Sequence, residues 1–150
     1  MSHTYYQQFY HLIWSTKDRK PLILESHQNR IYTYLGGVFR SLKCYPIQIG
    51  GMTDHVHALV IIPPTVLVVE AIRNVKVSTS KWISQNFSEI QEFSWQEGYG
   101  SFTVSSSHKE MVTNYIQNQK IHHQKYDFKT EFIKILKKYE ISFDEKYLWK

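Results

Sequence analysis

His55-Val56-His57-Ala58-Leu59-Val60-Ile61-Ile62, closed by Pro63-Pro64, is the segment on which the fold turns. Its β-branched and apolar residues read as a strand, and the proline pair stops it because proline cannot donate to a sheet ladder. Just upstream, Tyr45, Ile47 and Ile49 alternate as a strand does, and Gly50-Gly51 punctuates their end. Only a short turn separates the two runs, so an antiparallel hairpin is predicted.

Working outward from the hairpin, each flank supplies one helix and one strand. Upstream, Ile31, Tyr34, Leu35, Val38, Phe39 and Leu42 recur at helical spacing and outline one buried face. Ahead of them, Phe9 to Trp14 is rich in strand formers and gives way to the polar cluster Ser15 to Lys20. Downstream, Thr65 can cap a long helix carrying Val68, Ile72, Val75, Trp82 and Ile83. An irregular stretch from about Ser88 to Gly98 leads to a last strand, Ser101 to Ser105. The order βαββαβ predicts an α+β, ferredoxin-like fold, an antiparallel sheet with helices on one face.

Two further helices trail this unit. Ser107 and Glu110 have capping-box spacing ahead of a helix through Met111, Val112, Tyr115, Ile116 and Gln119. Phe132, Ile133, Ile135 and Leu136 predict a short amphipathic helix, and the aromatic tail from Tyr139 to Lys150 is expected to pack back onto the body. No repeat, low-complexity tract or long linker interrupts the chain, so residues 1–150 read as a single domain.

Composition narrows the classes of function. No apolar run is long enough to span a bilayer. The opening MSHTYYQQFYH lacks the basic start and apolar stretch of a secretion signal, so a cytoplasmic location is expected. The lone cysteine, Cys44, excludes an internal disulfide and a cysteine-built zinc site. A formal charge of +5 together with 11 Tyr, 8 Phe and 4 Trp suits a nucleic-acid partner, since phosphates attract lysine and arginine while exposed bases stack on rings. Many basic domains bind no nucleic acid, so charge alone selects little.

Two groups of residues carry candidate chemistry. His55 and His57 are two apart on a strand, so both imidazoles leave the same face and can chelate one divalent cation. A bare pair of this kind also occurs as two histidines on a half-exposed strand. Asp54 points to the opposite face of a regular strand and reads as a turn residue. Tyr115 and Gln119 stand four apart on a helix, and His122 continues their polar face. Such a face is usually solvated, and neither group is decisive by itself.

Their order along the chain is more specific. DHVH at 54–57, followed by YIQNQ from 115, resembles the single-tyrosine HUH transposases of the insertion-sequence 200/605 type, the REP-associated tyrosine transposases included. The likeness extends to YHLIWSTKDRKPLI, KVSTSKWI at 76–83, WQEGYGSFTVS at 95–105 and YIQNQKIHH at 115–123. It implies His55, His57 and Gln119 as ligands to Mg²⁺ or Mn²⁺, and Tyr115 as the nucleophile that forms a 5′-phosphotyrosine. It also implies single-stranded DNA with hairpin ends as substrate, and a homodimer. The dimer has an independent argument, because one tyrosine handles one strand end at a time. Two histidines and an amide form a neutral ligand set, which predicts weak metal binding without DNA. No dedicated base is evident in the sequence, and the candidates are His122 and metal-bound water. Tyr126, eleven residues beyond Tyr115, is read as a packing residue that faces elsewhere. Lys17, Arg19 and Lys20, after the first strand, and Lys76 on the long helix are candidate DNA contacts. Two other readings fit the same residues, a domesticated relative that processes hairpin repeats and a non-catalytic ferredoxin-like nucleic-acid-binding protein.

Overall fold

Alternation along two central strands sorts the protein into layers. In the computed structural model, which describes residues 3–90 and 92–150, β1 (Phe9–Ser15) and β3 (His55–Ile61) pair antiparallel at the centre of a four-stranded sheet. The edges are β2 (Tyr45–Gly51) and β4 (Gly100–Val104), giving the order β2-β3-β1-β4 with every pair antiparallel. The predicted ferredoxin-like arrangement is therefore present. Residues 1 and 2, which opened the stretch read for a leader, lie outside the described residues, as does one residue of the irregular stretch.

One face of the sheet carries Leu12, Trp14, Val56, Ala58 and Val60. Helices α1 (Gln28–Ser41) and α2 (Val68–Asn86) cover it with Ile31, Leu35, Phe39, Ile72, Val75 and Ile83, all fully buried or nearly so. Each such side chain contributes roughly 1.5–3 kcal/mol on leaving water, which makes this layer the main core. The other face carries Phe9, His11, Ile13, His55, His57 and Leu59, and it is covered as well. Ile116 of α3 (Lys109–Gln117) packs on Phe9 and Leu59, while Phe128, Phe132 and Leu136 of α5 (Phe128–Lys138) pack on Ile13 and Phe102. Burial on both sides explains why β3 reads as a nearly unbroken apolar run. The two helices of the ferredoxin-like unit, α1 and α2, share one face as expected, and the trailing helices cover the other. Between them, α4 (Gln119–His122) follows a break at Asn118, so the expected single helix through Gln119 is two.

Glycine sets how closely α3 approaches. A Cβ on Gly50 would stand 2.7 Å from the Ile116 carbonyl oxygen, so only glycine lets the helix backbone lie against β2. Gly51, at φ +153°, ends the strand where a Cβ would meet the His55 carbonyl. Helix starts depart from expectation. Leu67, not Thr65, precedes α2, and its side chain makes no cap. The Ser107–Glu110 box does not form, because Ser106–His108 is a 3-10 turn in which Ser105 Oγ bonds Ser107 Oγ and His108 Nδ1. Asp127 does cap α5, accepting from the Thr130 amide at 3.0 Å. As expected, the tail returns to the body. Its short helix α6 (Glu145–Leu148) is followed by Trp149, packed near Phe128 and Phe132.

Candidate active site

The second face of the sheet holds a buried polar cluster under α3, α4 and α5. His55 and His57 are fully buried, and Gln119 and Glu131 are each 1% exposed. His55 and His57 reach it because residues two apart on β3 share a face. Gln119 reaches it from the first turn of α4, and Glu131 from the start of α5. A carboxylate in the apolar stripe of Phe128 and Phe132 is costly unless paired, and here every partner is polar. Glu131 Oε1 lies 3.1 Å from His57 Nε2, 3.3 Å from His55 Nε2 and 3.1 Å from His123 Nε2. Glu131 Oε2 accepts from Gln119 Nε2 at 3.1 Å and from the Tyr115 hydroxyl. Gln119 Oε1 in turn faces His55 Nε2 and His123 Nε2, each at 3.0 Å.

The histidines are held from behind. Asp54 Oδ1 lies 2.7 Å from His55 Nδ1, and His11 Nε2 lies 2.8 Å from His57 Nδ1. With Nδ1 engaged in this way, Nε2 of each ring is left to face the centre, the arrangement found for histidines that bind metal. Asp54 is thus more than a turn residue. It supports His55 without entering the cluster. Burial pulls the His55 pKa down, but Asp54 and Glu131 outweigh it and raise the group to about 9. Burial lowers His57 and, with His57 beside it, His11. Burial pushes Glu131 up as well, but His57, His123 and His55 together hold its carboxyl well below the usual range. Burial first, then the Glu131 charge, pushes the Tyr115 phenol above its ordinary value.

The donor set suits a hard or borderline cation. His55, His57 and Glu131 each present a ligand atom, and these atoms all lie within 4.8 Å of one another. Neighbouring ligands about 2.1 Å from an octahedral ion stand roughly 3 Å apart, which is the separation seen between Nε2 and Oε1 here. Glu131 adds a carboxylate to the candidate donors, which the neutral set of two imidazoles and an amide expected from the sequence lacked.

The residues singled out in the sequence meet unequally. His55, His57, Tyr115 and Gln119 converge. His122 stacks on the Tyr115 ring, with centroids 4.6 Å apart, and the Tyr115 hydroxyl donates to Glu131. Tyr126, expected to face elsewhere, borders the same cavity as Tyr115. Lys17 and Lys20 are exposed on the turn after β1, near the His55 end of the sheet, because Ser15 pairs with His55. Arg19 lies over the Trp149 ring at 4.9 Å. Lys76 differs, as its ammonium bonds the carbonyls of Gln96, Glu97 and Gly98 at 2.9, 3.3 and 2.7 Å and fixes the irregular loop. Three residues escaped the sequence reading, namely Glu131, His123 and His11, and Asp54 was read only as a turn residue. Spacing offered two signals, since His123 is four after Gln119 and Glu131 is the acid within an apolar helical stripe.

Comparison with known proteins gives a family and a fold. The sequence profile of the family described as "Transposase IS200 like" matches residues 4–119. That span includes His55, His57, Tyr115 and Gln119 and stops short of α5. No curated protein matches the chain. Among solved structures, a candidate transposase of Deinococcus radiodurans R1 is 22% identical, with a TM-score of 0.66 over 79% of this chain and 95% of that one. A REP-associated tyrosine transposase bound to a REP hairpin is 12% identical, with a TM-score of 0.60 over 82% of this chain and 74% of that one. At these identities the likeness is one of fold. Among the described residues, no helix is long and apolar enough to cross a membrane.

Proposed function

The chain belongs to the IS200-like transposase family, and from that premise we propose that it cleaves and rejoins single-stranded DNA next to hairpins, with Tyr115 as nucleophile and a divalent metal as cofactor. One observation carries the reading. The Tyr115 hydroxyl and the Nε2 atoms of His55 and His57 meet on the two oxygens of a single buried carboxylate, Glu131, within one chain. A solvated tyrosine and two incidental histidines have no reason to share a buried acid.

The residues divide the work. His55, His57 and Glu131, with Gln119 beside them, would hold Mg²⁺ or Mn²⁺, and the ion supplies positive charge to the scissile phosphate. Asp54 and His11 fix the two imidazoles so that Nε2 faces that position. Tyr115 Oη attacks phosphorus, the bond to the 3′ oxygen breaks, and the phenolic proton is lost as the 3′ oxygen gains one. The product is a 5′-phosphotyrosine and a free 3′-OH, and the reverse attack restores the strand without ATP because the phosphodiester energy is kept in the tyrosyl ester. Glu131 orients the phenol in the arrangement seen, because the surrounding histidines hold its basicity down. The exposed Lys17 and Lys20 lie at the His55 end of the sheet, where they can meet phosphates. A second copy of the chain is needed to treat the second end of an excised strand. The hairpin-bound REP transposase of the same fold supports a hairpin-marked substrate.

The test is covalent capture. Full-length protein with Mn²⁺ or Mg²⁺ and labelled hairpin single strands should give an adduct that survives denaturation, and Tyr115→Phe should give none. Absence of an adduct across a broad hairpin pool would leave a non-catalytic nucleic-acid-binding protein. An adduct that persists in Tyr115→Phe would overturn the choice of nucleophile.

A further inference from the structure

Beside Tyr115 opens a cavity of about 410 Å³, within the range of small-ligand pockets. Besides Tyr115, Glu131 and His11, its lining carries groups that the reaction described above does not use. Met111, 54% exposed on α3, and Ile135 on α5 give it apolar sides. Tyr126 and Tyr139 stand on its border, the latter stacked on Phe102 with centroids 4.7 Å apart and so held in place. Lys134 and Lys138 also line it, four apart on one face of α5, with the Lys134 ammonium 5.8 Å from the Tyr126 ring centre. The one carboxylate in the lining, Glu131, is already engaged with the histidines and Tyr115.

Flat aromatic rings, apolar walls and two lysines beside a phosphate-attacking hydroxyl match one ligand class, an unstacked nucleotide. Rings and apolar walls suit a base, and ammonium groups suit its phosphates. A strand whose scissile phosphate lies at Tyr115 Oη must also place an adjoining nucleotide close by. We infer that this cavity receives one base of the single strand next to the scissile phosphate, with Tyr126 as its main stacking surface. The inference rests on the proposed function for its strand and its reacting phosphate.

The test compares full-length protein binding to fluorescent oligothymidylate about ten nucleotides long with an abasic oligomer of equal length and phosphate count. Wild type should favour the base-bearing strand by about tenfold, the scale of one lost stacking contact. Tyr126→Ala should bring the two affinities to within about twofold, Tyr126→Phe should retain the contrast, and Lys134→Gln should weaken both strands alike. Tyr139→Ala, on the other border, gives a second reading of the contrast should Tyr126→Ala fail to fold. A contrast that is absent in wild type, or that survives both alanine variants, overturns the inference. Adduct formation on hairpin DNA, measured in the same preparations, keeps the two ideas separate. Base contrast without an adduct removes the nuclease reading and leaves the pocket, and an adduct without base contrast does the reverse.

Discussion

At the scale of residues, the site turns on Glu131, which changes the charge of the proposed metal position. Two imidazoles and an amide would leave a hard cation poorly held, whereas an added carboxylate gives it the oxygen donor it prefers. Glu131→Gln keeps the shape and removes the charge, so Mn²⁺ affinity measured by calorimetry should fall at least about tenfold, the scale on which even outer partners of a metal act. Gln119→Ala should cost less, since the amide is neutral. Equal affinities in wild type and Glu131→Gln would show that the carboxylate is not a ligand. The contrast also explains what could be read beforehand. His55 and His57 were legible because strand period two places them together, and Gln119 because four residues make one helical turn from Tyr115. Glu131 was hidden because its partners lie 74 and 16 residues away, and only the packing of α5 over the sheet joins them.

At the scale of elements, two local features hold the helices that carry the chemistry. Gly50 lets the α3 backbone lie on β2. Gly50→Ala places a methyl group 2.7 Å from the Ile116 carbonyl oxygen, and α3 must shift. Overpacking of this kind costs about 1–3 kcal/mol, and thermal melting should show the loss together with weaker adduct formation through Tyr115. A variant of unchanged stability would mean that α3 does not bear on β2 as described. Asp127 holds the start of α5, four residues before Glu131, and Asp127→Ala should destabilise the protein by about 1 kcal/mol. The cap hydrogen bonds to Thr130 depress the Asp127 pKa, so folding favours the ionised form. Its contribution is present above the unfolded value near 3.9 and is lost as pH falls through the lower folded value. The gap in melting temperature between wild type and Asp127→Ala should therefore narrow in acid, and a gap that widens would contradict the cap. The strand order and helix types were readable from periodicity, and the caps were not. Thr65 and Ser107 have the right side chains, but helix entry is set by backbone geometry, and a 3-10 turn at Ser106–His108 moves the start of α3 to Lys109.

At the scale of the whole molecule, the question is which chain completes which site. The ferredoxin-like body was legible because both of its helices and all four strands follow simple periods. The second layer was not, because α3, α4 and α5 show polar or short patterns whose partner is the face already bearing His55 and His57. In the folded chain that layer closes on its own sheet. Ile116 is buried against Phe9 and Leu59, the link from β4 to α3 is the short stretch through the 3-10 turn, and Phe128 and Phe132 anchor α5 on Ile13 and Phe102. Tyr115 thus reaches the Glu131, His55 and His57 of the same polypeptide. To serve a partner's histidines, α3 would have to leave the Phe9 and Leu59 of its own chain and dock on the same face of the partner. The expected result follows for a mixture of two inactive variants, His57→Ala and Tyr115→Phe, refolded together to allow exchange. If the proposed dimer forms and each site is completed within one chain, every mixed pair has one chain without its metal position and one without its nucleophile, and no adduct forms. Adduct recovered in the mixture, above either variant alone, would show instead that the tyrosine helix crosses to the partner when DNA is bound.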